Sequence, residues 1–133
     1  MMTATVHIVP AYAGALALLF ICLSILVVKQ RRFHRVPIGD GHKPSLKRAI
    51  AVHNNFAQYV PMALLLLLMM ELSLAPSYLV HALCVVLVIA RCAHAYGVSQ
   101  DPEPFKYRKY GMISTFGVLA LAAFYLIYTA LFA

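Results

Sequence analysis

The chain has 133 residues, 63% of them hydrophobic and 11% charged, with a formal net charge of +7. A mean hydropathy of +0.83 suits a bilayer better than a water-soluble core. A nucleic-acid binder would spread Lys and Arg over a solvated face with aromatics between them; here they sit beside apolar runs, as interface anchors that set topology, and no nucleic acid is expected.

Residues 1–10 carry no Lys or Arg ahead of the first apolar run, so the charged region of a cleaved signal peptide is missing. The first span, from about 9 to 28, is expected to be retained with its N-terminus outside. It ends at Lys29, Arg31, Arg32 and Arg35, followed by VPIGDGHKP, a stretch of turn formers. Ser45 is a plausible N-cap for a second span over about 46–71, in which Pro61 is expected to introduce a kink. SLAPS then leads into a third span, about 77–97, and SQDPEPF into a fourth, about 110–132. The reading is an all-α, integral membrane four-helix bundle, one domain over residues 1–133.

Of the 11 Lys and Arg residues, Lys29, Arg31, Arg32, Arg35, Lys43, Lys47 and Arg48 flank the first loop, and Lys106, Arg108 and Lys109 flank the third. The second loop has none. This asymmetry places loops one and three in the cytoplasm and both termini on the other side. Cys22, Cys84 and Cys92 lie inside apolar runs without a CxxC pair and read as small buried hydrophobes. His81 and Cys84 share a helix face without two further ligands at metal spacing, so no metal is expected.

In an apolar span the informative residues are the polar ones, because each carries a cost in lipid. Arg48, Asn55 and Gln58 fall on one stripe of the second helix that faces the bundle, with Asn55 roughly 10 Å and Gln58 roughly 15 Å deeper than Arg48. Arg91 and His94, in ARCAHAYG, reach about the depth of Asn55 from the third helix. An arginine there costs on the order of 2.5 to 3.5 kcal/mol unless it is paired or lines a wet cavity. Asp40, Asp101 and Glu103 are in loops and Glu71 is at the opposite face. The residues therefore imply a cationic pocket that awaits an anionic ligand, or a carboxylate folded back from loop three. The structural alternatives are an interfacial anchor for Arg48, a core histidine for His94, a structural His53, topology signals for Arg108 and Lys109, and an aromatic belt of Tyr59, Tyr96, Tyr107 and Tyr110.

The segments RAIAVHNNFAQYVP (Arg48 to Pro61), RCAHAYG (Arg91 to Gly97) and KYRKYGM, together with the four-span layout, resemble the membrane-associated proteins in eicosanoid and glutathione metabolism, the MAPEG family, and above all its short bacterial members. The resemblance implies a homotrimer in a bacterial inner membrane, with glutathione as cosubstrate held between adjacent subunits. It also implies membrane lipids and hydrophobic small-molecule substrates as further partners. Carried onto this chain, Arg48, Asn55, Gln58 and Tyr59 would hold the peptide, with Arg91 and His94 contributing, and Arg108 would be the catalytic arginine that stabilises the thiolate. The family usually has Glu where this chain has Gln58, Arg where it has Ala51, and often Tyr where it has Val98.

The implied activity is that of a glutathione-dependent transferase or peroxidase on hydrophobic electrophiles or lipid hydroperoxides. A noncatalytic lipid- or peptide-binding protein with a degenerate glutathione site is the alternative that the three departures raise. A small multidrug exporter would need a membrane-embedded carboxylate to couple protons to cations, and the first span has none. Haem ligation by His53 and His94 is a further alternative.

Overall fold

The computed structural model describes residues 5–133. Residues 1–4, which the single-domain reading included, lie outside the described residues. The chain forms α1 (Val9–His34), α2 (Pro44–Leu72), α3 (Ser77–Val98) and α4 (Phe105–Phe132), and no strand occurs among the described residues. All four helices are long and apolar enough to cross a membrane, with mean hydropathy in their most apolar stretches running from 1.4 in α2 to 2.6 in α1. The low value of α2 reflects Asn55, Gln58 and Glu71, which lie within its apolar part. The connections are short, loop one being 35–43, loop two 73–76 and loop three 99–104, and short connections make consecutive helices antiparallel. Loops one and three therefore share one end of the bundle, and loop two lies at the other.

The helix ends differ from the sequence expectation for local reasons. Lys and Arg are good helix formers, so α1 continues through the basic run, where Arg31, Arg32 and His34 complement the carbonyl end of its dipole. Arg35 stops it in the left-handed region, at φ 57°. Arg31 then fastens loop one by donating from Nη1 to the carbonyls of Val36 (3.2 Å) and Gly39 (2.7 Å). Ser45 does not cap α2. The helix already starts at Pro44, whose fixed φ suits the first turn, and the Ser45 hydroxyl instead donates to Gln30 Oε1 and meets His34 Nε2, both at 2.9 Å, tying α2 to α1. Pro61 lies inside α2, which runs through it without a break.

The core is a continuous apolar seam that includes Leu16 and Leu23 of α1, Val60 and Leu67 of α2, Leu87 of α3 and Val118 of α4. Cys84 joins it, but Cys22 and Cys92 lie on the exterior of the chain, against the expectation that all three are buried. Polar cross-links supplement the seam. His53 Nε2 meets Ser24 Oγ at 3.0 Å while its ring stacks on Phe20, and Tyr12 Oη meets His81 Nδ1 at 2.9 Å. His53 is thus structural, as one reading of the sequence held.

At the loop-two end, α1 begins without a local capping side chain. Its free donors are met from the far end of α2: the buried Glu71 carboxylate accepts the backbone N–H groups of His7 (2.7 Å), Ile8 (2.6 Å) and Val9 (2.8 Å). An anion at a helix N-terminus is favoured by both the unpaired N–H groups and the dipole. Neutralising it leaves those donors under-satisfied. Glu71→Gln should therefore destabilise the bundle by about 1 to 3 kcal/mol, read as a lower denaturation midpoint in detergent; a midpoint equal to wild type would show that the clamp contributes nothing.

Candidate functional site

The site lies at the end of the bundle shared by loops one and three, and close packing of α3 against α4 creates it. A Cβ on Gly97 would stand 2.6 Å from Tyr107 Cβ, and one on Gly111 would stand 2.8 Å from the Ala90 carbonyl oxygen and 3.0 Å from His94 Cβ. Each helix thus contributes one glycine that admits the backbone of the other. Because α4 starts at Phe105, ahead of the expected start near 110, Arg108 is helical and lies on the same face as Gly111 and Met112, towards α3.

Arg91 is the centre of the site. It is only 1% exposed, the largest of the fully buried side chains. Its Nη2 donates to Asn55 Oδ1 at 2.6 Å across the α2–α3 contact, its Nη1 reaches Met112 Sδ of α4 at 3.6 Å, and its guanidinium stands 5.8 Å from the centre of the Phe56 ring. No carboxylate pairs with it among the described residues. A guanidinium has five donors and no acceptor, so one amide oxygen and one weak sulfur acceptor leave it well short of satisfaction. His94, one turn on, is 3% exposed.

Above this layer lies the carboxylate that loop three folds back. Glu103, 12% exposed in its side chain, accepts Arg48 Nη1 (3.1 Å) and Arg108 Nη2 (2.7 Å) on the same oxygen, Oε1. Arg48 also donates to the Val98 carbonyl at 3.1 Å. Loop three thus supplies an anion, but to the two outer arginines and not to Arg91. Of the three guanidinium groups, two share the Glu103 carboxylate and the third, that of Arg91, has none. Among the described residues, the buried side-chain nitrogens and oxygens without a hydrogen-bond partner are Arg91 Nε, His94 Nδ1 and Arg108 Nε, all in this region.

Between these groups is a cavity of about 210 Å³ lined by Ala51, Asn55, His94, Val98, Arg108 and Met112. It continues into a second hollow lined by Lys47, Arg48 and Arg108 among others. The structure therefore brings together Arg48, Asn55, Arg91, His94 and Arg108. It does not bring Gln58 to them, and Tyr59 comes near Arg91 without a hydrogen bond to it. Gln58 is on the exposed side of α2, since three residues past Asn55 the helix has turned by about 60° away from the previous stripe, and its assignment to the bundle-facing stripe is corrected. Tyr59 is half-buried, with its ring edge-on to Phe116 at 5.5 Å. His53 points to α1 and does not share a site with His94, which removes the haem pairing. The sequence reading missed Met112, a soft acceptor visible only once α4 is in place, and the two glycines. Their signal was the small residue in each of RCAHAYG and KYRKYGM.

Comparison with known proteins supplies the context for this arrangement. The sequence model of the MAPEG family matches residues 9–128. The chain belongs to the MAPEG family. It is similar to the inner membrane protein YecN of Escherichia coli strain K12, 38% identical over 110 residues that cover 83% of this chain and 82% of the relative. The counterpart in Escherichia coli O6:H1 matches to the same extent. No solved structure matches significantly. Against the usual family pattern, the departures at Ala51 and Val98 both fall on the cavity wall, so two short apolar side chains provide part of its space.

Packing at Gly111 has a direct test. The nearest atom to an added Cβ is a backbone oxygen, which cannot move aside as a side chain would. Gly111→Ala should destabilise the protein by about 1 to 3 kcal/mol. Gly14→Ala, where nothing lies within 4 Å of the new carbon, should not lower stability. Equal denaturation midpoints for the two variants in detergent would refute the close α3–α4 approach.

Proposed function

We propose that this MAPEG protein is a glutathione-dependent transferase or peroxidase acting on hydrophobic electrophiles or lipid hydroperoxides dissolved in an inner membrane, with loops one and three on the cytoplasmic side. The observation that carries the reading is the excess of guanidinium over carboxylate around the cavity, with Arg91 fully buried and orphaned nitrogens on Arg91, His94 and Arg108. A tripeptide thiol with two carboxylates supplies the anions that such a set lacks. Arg48 and Lys47 suit the carboxylates at the outer rim. Arg108, which reaches both hollows, suits the sulfur, because a guanidinium beside a thiol favours the thiolate, the nucleophilic form. The thiolate would then attack an electrophile that arrives laterally from the bilayer.

We further propose a homotrimer. Gln58 and Asn54 stand exposed on α2 together with Ala51 and Ala57, a polar and small-residue face that is costly against lipid and suited to a neighbouring helix. It also gives Gln58 a place at an intersubunit site that a single chain does not complete.

Titration of the purified protein with glutathione, following thiolate absorbance, tests the activity. Thiolate should form at millimolar glutathione or below. Arg108→Leu removes the cation that favours the charged form, so the midpoint of the thiolate signal should move upward by about 1 to 3 pH units. No binding by wild type at millimolar glutathione excludes the mechanism.

The reading of the chain as a noncatalytic lipid- or peptide-binding protein is favoured by one observation: Glu103 already engages Arg48 and Arg108. The double substitution Gln58→Glu with Ala51→Arg separates the two readings. A gain in glutathione affinity of about tenfold or more, the scale of a restored charge-assisted pair, marks the native site as degenerate. Little change marks it as already complete.

A further inference from the structure

A separate hollow, of about 220 Å³, opens between α1 and α2 on the other side of Arg48 from the two described above. Its two walls are graded in the same sense. On α1, Leu23 and Leu26 give way to Gln30 towards the loop-one end, and on α2, Val52 and Ala49 give way to Arg48 and Ser45. Leu23 and Gln30 are separated by seven residues, roughly 10 Å along the helix axis. Asp101 of loop three closes the polar mouth, opposite in charge to Arg48. Among the described residues, the hydrogen bonds and ion pairs of Arg48 are all made by Nη1, so the rest of its guanidinium is uncommitted, and Asp101 has no ion-pair partner.

An apolar floor that turns polar at the membrane surface, with one cation and one anion at the rim, has the order of an amphiphile with a zwitterionic head. We infer that this slot binds a membrane phospholipid whose headgroup carries both a phosphate and a primary ammonium, the phosphate on Arg48, the ammonium on Asp101 and an acyl chain along Leu23, Leu26 and Val52. A headgroup that is only anionic would leave Asp101 facing negative charge. A choline headgroup offers the carboxylate no N–H donor. A second copy of this chain would have to bring its own charged pair to match the rim. The slot shares Arg48 with the hollow at the outer rim of the proposed glutathione site, but neither Asp101 nor Leu26 lines the cationic cavity, so a lipid test read at those two positions does not require glutathione to bind.

The chain contains no tryptophan, so Leu26→Trp, at a position 46% exposed, places the sole tryptophan at the slot, where it can be excited selectively over the tyrosines. The full-length variant is reconstituted in phosphatidylcholine vesicles that carry brominated phosphatidylethanolamine, brominated phosphatidylcholine or brominated phosphatidylglycerol as quencher. Quenching should report a preference for phosphatidylethanolamine over phosphatidylcholine of about tenfold, the lower end of what one hydrogen bond to a charged group contributes. Asp101→Asn in the same background should bring that preference close to one. Ile127→Trp, on the exposed face of α4, should show no headgroup preference. Wild-type thermal unfolding, which needs no reporter, should rank the lipids in the same order. The inference is overturned by equal quenching from all three lipids, by phosphatidylglycerol ranking first, by a preference that survives Asp101→Asn or appears equally at Ile127→Trp, or by negligible quenching at Leu26→Trp, which would mean a second copy covers the slot.

Discussion

The bond from Arg91 to Asn55 is the constraint on which the rest of the site depends. A guanidinium buried at helix depth cannot lose its charge and cannot accept a hydrogen bond, so an oxygen has to be brought to it, and the carbonyl of Asn55 is what α2 offers. That contact ties α2 to α3 at this depth, alongside the apolar seam between them. Met112 then extends the contact to α4, and Gly111 lets α4 come close enough for this. The same contact leaves most of the arginine's donors unanswered. A carboxylate in place of Asn55 would have neutralised the site; an amide orients the cation without cancelling it.

The carboxylates divide the molecule into two ends with different physics. Glu71 meets only backbone N–H groups, a fixed array of partial charges that belongs to the fold. Glu103 meets two mobile side chains and sits on a loop, where its ion pairs depend on the position of that loop. One acid is structural because its partners cannot move, and the other is adaptable because all its partners can. A ligand that binds at the loop-three end therefore competes with or rearranges a short segment, while the loop-two end stays as folded.

Much of this was legible in the sequence. The four spans follow from hydropathy because lipid imposes a length on each helix, and the depth match of Asn55 and Arg91 follows from 1.5 Å per residue. The family resemblance rests on motifs that the structure places at one end of the bundle. What escaped the sequence was information held between helices. Helical rotation past Asn55 carries Gln58 to the exterior, although counting along one stripe had placed it inside. Ser45 has the chemistry of a cap and is used as a cross-link, since Pro44 had already begun the helix. Glu103 was foreseen only as one of two possible counter-charges, and its choice of Arg48 and Arg108 over Arg91 depends on where loop three lies. Glu71 was set aside as remote from the site, and its role needed the position of the α1 start, which no local pattern near Val9 announces.

The Glu71 clamp has a consequence for how the molecule comes together. Its donors and its acceptor are 62 to 64 residues apart in the chain, so the first turn of α1 has its final partner only after α2 has crossed back to the same side. The opening hairpin is thus completed as a pair, and the first turn of α1 is capped by a residue synthesised long after it.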